Sequence, residues 1–283
     1  MKIQLKLPYV LLSIGLGVGL TSLLNRPSAN ALQVKVDRWL AIRQTSGSAW
    51  YQTKQQAVLP AKTGMRLQAV GDRIKTGDRS TMVLEVDTGV GFVHVAEKTN
   101  LIIQKMQRTS SGGQITQLQV ASGQVRLQVR PFTNPSSRLE IQTPGGISGV
   151  RGTEFGISVQ PNGKTGVATL KGGVATAAQG KSVLVKGGFQ SLVIPGEAPS
   201  PATPLKDDPR LDIRQLSSLG NQRVRIVGQV DSVNLLAIAN LPQGTDRQGN
   251  FDITIPLPGQ NQRITALVTT PLGKQQIYEL SLP

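Results

Sequence analysis

Residues 117–130 read "QLQVASGQVRLQVR", and their reading decides the fold. Apolar side chains fall on every second position: Leu118 and Val120, then Val125, Leu127 and Val129 beyond the Ser122-Gly123 step. A period of two belongs to a half-buried strand, whose side chains alternate between a core face and a solvent face. Gln124, Arg126, Gln128 and Arg130 occupy the other face. The stretch therefore predicts a hairpin, turned at Ser-Gly, with a wet and basic outer side.

Working outward, the alternation returns in "RLEIQT" (138–143), "TMVLEV" (81–86), "GFVHVA" (91–96), "NLIIQK" (100–105), "FGISV" (155–159) and "SVLVKGGFQSLVI" (182–194). Thr88-Gly89, Ser111-Gly112-Gly113, Pro161-Asn162-Gly163 and Gly187-Gly188 supply turns between them. No helical period lasts beyond a turn or two, so this region is expected to be all-β, a meandering roll or barrel-like domain. The 31 glycines, 17 prolines and 4% aromatics agree with many short strands and tight turns.

The pattern breaks at "PGEAPSPATPLKDDPR" (195–210), which is rich in proline and has no apolar face. It reads as a stiff, extended linker over 195–211. Beyond it "LDIRQLSSLG" (211–220) suits a short helix. Strands resume at "RVRIVGQV" (223–230), "GNFDITIPL" (249–257), "QRITALV" (262–268) and "KQQIYELSL" (274–282), enough for a small β-sandwich over 212–283. At the other end, Lys2 and Lys6 precede an apolar run, "LPYVLLSIGLGVGLTSLL" (7–24), and Ala29-Asn30-Ala31 offers a cleavage step. Residues 1–31 are thus expected to be an export signal, leaving an all-β domain over 32–194. An uncleaved membrane anchor is the alternative.

Export changes the meaning of the charge. The net +15 becomes +12 once Lys2, Lys6 and Arg26 are removed, with 28 basic residues against 16 acidic ones. Outside the cytoplasm the polyanions on offer are cell-wall polymers, lipid phosphates and acidic glycans. The scattered aromatics make no base-stacking platform, so nucleic acid is not expected. Arg126, Arg130 and Arg138 are expected to share a basic stripe on adjacent strands, a candidate contact for such a polymer.

Catalytic constellations are lacking. There is no cysteine, hence no thiol nucleophile, disulfide or Cys-bound metal. The single histidine, His94, sits on a strand with Val93 and Val95 facing inward, without an evident orienting partner. No serine sits in a Gly-x-Ser-x-Gly elbow. Glu85 and Asp87 suit a solvated strand edge rather than a sugar-cleaving pair, and Asp231, Asp246 and Asp252 fall short of a calcium loop. No enzyme and no cofactor is expected.

The densest cluster of special residues is "TPGGISGVRGTEFG" (143–156). Pro144 ends a strand and Gly145-Gly146 permit the reversal. Arg151, between Gly149 and Gly152, suits either a clasp, its guanidinium held by carbonyls or by Glu154, or a phosphate cradle. With no helix following, the clasp is favoured. Thr143, Pro144, Gly146, Val150, Arg151, Gly152, Thr153 and Phe155 resemble the signature of the FecR domain family. "VGDRIKTGDRSTMVLEVDTG" (70–89), "VASGQVRLQV" (120–129) and "ATLKGGVAT" (168–176) are similar to its flanking segments in the same order, so the resemblance covers roughly residues 35 to 195. It implies an extracytoplasmic all-β domain without catalytic activity, in which the signature is structural. The C-terminal part more loosely resembles immunoglobulin-like sandwich modules. The family's namesake carries a cytoplasmic anti-sigma segment before its membrane span. Only a few residues precede the apolar run here, so that segment is not expected. The resulting expectation is an exported, periplasmic or otherwise extracytoplasmic binding module that contacts an envelope protein or an anionic cell-wall polymer, and touches the membrane only through an uncleaved N-terminal segment. A membrane-anchored sensory component that contacts a receptor is the alternative.

Overall fold

The computed structural model describes residues 38–53, 58–220, 222–256 and 263–281. The expected signal segment, with its Ala29-Asn30-Ala31 step, lies outside the described residues. Within them every regular element is a strand, as the period-two pattern demands.

The first surprise is the stretch that decided the fold. Residues Gln114–Val129 form one continuous strand rather than a hairpin. Ser122-Gly123 does not reverse the chain; it carries the strand from one sheet to the other. Its first part pairs with Asn100–Arg108 and, in parallel, with Arg138–Gln142. Its second part lies between Gly91–Val95 and Glu154–Val159. Gly123 makes the step, at φ 94°, where a Cβ would press into the Thr99 backbone. Only glycine adopts that conformation without strain.

Around this shared strand two sheets grow, and neither closes into a barrel. One runs Arg66–Leu67, Leu40–Ser46, Thr81–Val86, Gly91–Val95, 123–129, Glu154–Val159, Thr165–Lys171, Phe189–Val193 and Thr203–Pro204. The other runs Leu59–Pro60, Ala49–Gln52, Arg73–Thr76, Asn100–Arg108, 114–122, Arg138–Gln142, Ile147–Val150, Gly173–Ala178 and Lys181–Lys186. Successive hairpins go to alternate sheets, and both contribute to one core that includes Leu84, Leu118, Leu127, Ile141, Phe155 and Val174. The expected roll is thus an open two-sheet sandwich. Burial of such aliphatic side chains, each worth about 1.5–3 kcal/mol, provides its stability.

At the N-terminal end of the described chain, Arg38 is nearly buried. It is held by Asp87 at 2.7 Å, by the Ile115 carbonyl and by Thr116. Glu85 is taken by Arg43. The two carboxylates considered together in the sequence therefore serve separate ion pairs.

The C-terminal part is a second sandwich. Leu211–Ser218, Arg223–Val230 and Asn250–Pro256 form one sheet; Leu241–Gln243, Leu235–Ile238, Ile264–Thr269 and Gln275–Leu280 form the other. They close on a core of Val224, Ile226, Leu236, Phe251 and Val268 among others. The expected short helix over 211–220 is instead a strand. Leu211, Ile213 and Leu216 pack against this core across a bulge between Ile213 and Gln215, which shifts the apolar spacing from two to three and so imitates a helical period.

The proline-rich stretch between the sandwiches runs extended and is tied down along its length. Thr203–Pro204 adds a short edge strand to Phe189–Val193. Ser200 accepts from Leu192 N–H, and Glu197 pairs with Arg247. Asn234 donates to the Asp208 carbonyl, Tyr278 to that of Pro209, and Thr270 to Asp207.

Candidate functional site

The outer face of the first sheet is where the chain's chemistry gathers. Its rows follow from the register. Phe92, Gln128, Glu154 and Lys171 lie side by side across four strands. One row along stand His94, Arg126, Gly156, Ala168 and Gln190; two rows along stand Gln124, Ser158 and Gly166. Inward-facing Val93, Leu127, Phe155 and Val167 are all fully buried, which fixes these rows outward.

The last row is covered by the C-terminal sandwich. Gln124 donates to the Pro271 carbonyl at 2.7 Å, and Ser158 donates to that of Val233. Gln160 donates to the Asn234 carbonyl at 2.8 Å. Gly156 and Gly166 are the reason the second sandwich can sit so low. A Cβ on Gly156 would run into the Pro271 carbonyl, and one on Gly166 into that of Val233. Neither glycine has positive φ, so what each provides is room. Beside them Lys164 is only 3% exposed, and its ammonium donates to Thr245 and to the Asp246 carbonyl. Burial pulls its pKa down to about 8, with Asp246 and Asp231 partly offsetting this.

The first row stays bare. Phe92 is exposed, and together with Arg130, Pro131, Gly152, Glu154 and Lys171 it lines a shallow cleft of about 440 Å³. Glu154 is paired with Arg126 and accepts from Gln128; the Arg126 bond chiefly holds its carboxyl below the ordinary range. The pKa of His94 is lowered by partial burial of its ring and then by Arg126. Arg130, Arg151 and Lys171 are exposed and close no ion pair among the described residues. Arg130 helps to lower the pKa of Glu85, and Lys171 that of Glu154, each as the weakest of several causes. Positive charge beside an exposed aromatic ring suits binding of an anion.

The predicted site residues fall into two groups. Thr143 and Gly146 close a tight turn through Thr143 N–H to Gly146 O at 2.8 Å, with Pro144 exposed at its tip; a Cβ on Gly146 would press on the Ala177 carbonyl. Val150 and Phe155 are core. Gly152, at φ 113°, lies against Pro131, and Thr153 is buried with its hydroxyl donating to Gly173 O at 3.0 Å. The signature is thus the step by which the chain passes from Ile147–Val150 in one sheet to Glu154–Val159 in the other. Arg151 is the exception: it is not a clasp. Its expected partner Glu154 is occupied by Arg126, and the guanidinium faces solvent at the crossover. The stripe is also redrawn. Arg126 lies on the strand beside the cleft and Arg130 just past its end, but Arg138 belongs to the other sheet and pairs with Glu140 at 2.7 Å. Sequence reasoning did not single out Lys171, which strand pairing sets beside Glu154, or Gly156, whose role depends on the backbone that packs onto it.

Of the three aspartates weighed for calcium, Asp252 pairs with Arg225 and Asp246 caps its own turn through Gln248 and Asn250 N–H. Among the described residues no cluster of three or more His, Asp or Glu side chains is placed to hold a metal.

Comparison with known proteins bears on the same region. The model of the family described as FecR protein matches residues 72–175, the centre of the first sandwich and all of the signature. No curated protein matches. Among solved structures, a candidate anti-sigma factor from Parabacteroides distasonis ATCC 8503 is similar at 15% identity and a TM-score of 0.39, over 47% of this chain and 59% of that one. The polysaccharide lyase BACCELL_00875 is similar at 10% identity and a TM-score of 0.19, over 86% of this chain and 39% of that one. This chain thus spans about three-fifths of the anti-sigma factor chain, and neither likeness is close enough to carry an argument. The family match stands on its own: residues 72–175 are a FecR domain.

Proposed function

We propose that this is an exported, non-enzymatic FecR-domain protein of the cell envelope. In this reading the bare half of its first sheet binds an anionic envelope polymer, and the C-terminal sandwich braces the other half. The observation that carries it is the exposed pair Arg130 and Lys171 lining one cleft with Phe92, next to the exposed Arg151 of the family's own signature. Exposed cations on and beside one cleft favour a partner with repeated negative charge, and such binding weakens as salt screens it.

Retention of the purified protein on isolated envelope fractions at low and high salt tests this. Arg151→Glu with Lys171→Glu is expected to lower retention about tenfold or more, since each reversal turns an attraction into a repulsion. Retention indifferent to salt and to both reversals would sink the reading.

The family match favours a second reading, a sensory component that keeps its N-terminal segment as an anchor and contacts a protein partner. The mass of the N-terminal peptide separates the two. A chain beginning at Leu32 fits the exported module, and one retaining residues 1–31 fits the anchored sensor.

A further inference from the structure

We propose that the cleft between the FecR-side sandwich and the C-terminal sandwich binds a small, elongated, largely apolar carboxylate, of which a medium-chain fatty acid is the simplest example. The argument starts with the four-stranded sheet of the C-terminal part. Leu236, Ile238, Ala266 and Val268 point into its own core and are almost fully buried. Alternation turns Leu235, Ala237 and Leu267 to the opposite face, with Leu235 next to Thr269 and Ala237 next to Leu267 in register. On a sheet with one wet face these positions would carry polar side chains. Here they are aliphatic and only half-buried, because they look into a cleft of about 350 Å³ whose far wall includes Ala96 and Val159.

The gap is held open by construction. Gln124–Pro271, Ser158–Val233, Gln160–Asn234 and Lys164–Thr245 fasten the two sandwiches beside it. Its size falls at the lower end of small-molecule sites, which are mainly apolar with a few placed polar groups. Lys98 is the placed group. Its ammonium bridges the mouth to the Asn240 carbonyl, at a hairpin tip where Ala239 and Asn240 both have positive φ. It lies 3.1 Å from Asp78, whose side chain is 61% exposed and therefore pairs weakly. An ammonium has three N–H donors, so one remains for a ligand carboxylate. The neighbouring Glu97 is engaged by the Arg79 N–H at 2.5 Å and by the Thr99 hydroxyl through its own carbonyl. An apolar body in the cleft with its carboxylate at Lys98 meets both demands. This site lies away from the Arg151 cleft, and neither assignment depends on the other.

Titration calorimetry of the full chain with decanoate, below its micellar concentration, and with decan-1-ol tests the proposal. Decanoate is expected to bind saturably at one site per chain. Ala237→Trp, which fills the cleft, is expected to abolish binding, and the smaller Ala237→Met to weaken it at an unchanged melting temperature; if the tryptophan variant does not fold, the methionine variant decides. Lys98→Met is expected to weaken decanoate about tenfold, the worth of one charge-assisted hydrogen bond, while leaving decan-1-ol unaffected. No saturable decanoate binding, or binding undiminished in both Ala237 variants, would overturn the site. Equal losses of decanoate and decan-1-ol in Lys98→Met would overturn the role of the ammonium.

Discussion

The two halves of the first sheet's outer face are made by the same strands and differ in fate. Along 123–129, Gln124 is buried beneath the C-terminal sandwich, Arg126 is half-buried and Gln128 is exposed. Along Glu154–Val159, Glu154 is partly exposed, while Gly156 and Ser158 are under cover. What separates the halves is side-chain bulk two residues apart. Where the outward residue is glycine or serine, another backbone comes down onto the sheet and takes its hydrogen bonds. Where it is a long charged or aromatic side chain, the sheet stays uncovered. A face that looks uniform by hydropathy is thus divided into a covered half and a bare half.

The sharpest way to break this comparison is to make the covered half bulky. Gly156→Val places a branched side chain where the Pro271 carbonyl now sits. The sandwich has to lift or the sheet has to bend, at a cost of about 3 kcal/mol or more. For a protein of this size a melting temperature lower by roughly 6–12 °C is expected by calorimetry. Limited proteolysis supplies a second readout. Residues 195–211 are expected to resist cleavage in the unaltered protein because both sandwiches hold them, and to become the first cut in Gly156→Val. An unchanged melting temperature together with an uncut 195–211 would show that close approach at Gly156 does not hold the sandwiches together.

Lys164 gives a second test, through pH. Its folded pKa of about 8 lies below the usual lysine value of 10.5. Between these values the unfolded chain holds a proton that the folded one has released, so this group's contribution to stability rises with pH across that window. Below about 8 both states are protonated and the cost of the buried ammonium is fully present. The stability of the unaltered protein relative to Lys164→Met is therefore expected to increase from pH 7.5 to pH 10.5, by on the order of 2–3 kcal/mol. Denaturant titrations of both proteins at the two pH values check the sign. A constant difference would mean that Lys164 titrates normally and is not buried in the interface.

The legibility of these features in the sequence follows their range. Inward positions such as Val93, Val125, Leu127 and Ile141 were readable because alternation is a local property of a strand. The parallel pairing of 115–119 with 138–142 was not, since it depends on which sheet each hairpin joins. Ser122-Gly123 misled because glycine at positive φ serves a turn and a sheet-to-sheet step equally well. Ile213 to Leu216 imitated a helical spacing because a bulge adds one residue to a strand. At the candidate site, Arg126 and Arg130 were visible as outward residues. Lys171 was not, because only the Glu154–Lys171 register brings it there.

The signature sharpens the comparison at its boundary, where two adjacent residues are expected to behave in opposite ways. Gly152 holds φ 113° with Pro131 Cα 2.5 Å from where a Cβ would stand. Gly152→Val is expected to cost about 1–3 kcal/mol from backbone strain alone, seen as a lower melting temperature. Arg151, next to it, is exposed and has no hydrogen bond or ion pair among the described residues. Arg151→Lys is expected to leave the melting temperature within about 1 °C, as surface substitutions away from special features do, and to keep most envelope retention because the charge remains. Arg151→Glu is expected to melt like the unaltered protein and to lose retention, since a reversed charge alters long-range attraction without touching the core. The smallest effect on stability thus carries the largest statement about function. If Arg151→Lys melted several degrees lower, the guanidinium would be holding the crossover after all, and it would no longer count as a charge available to a partner.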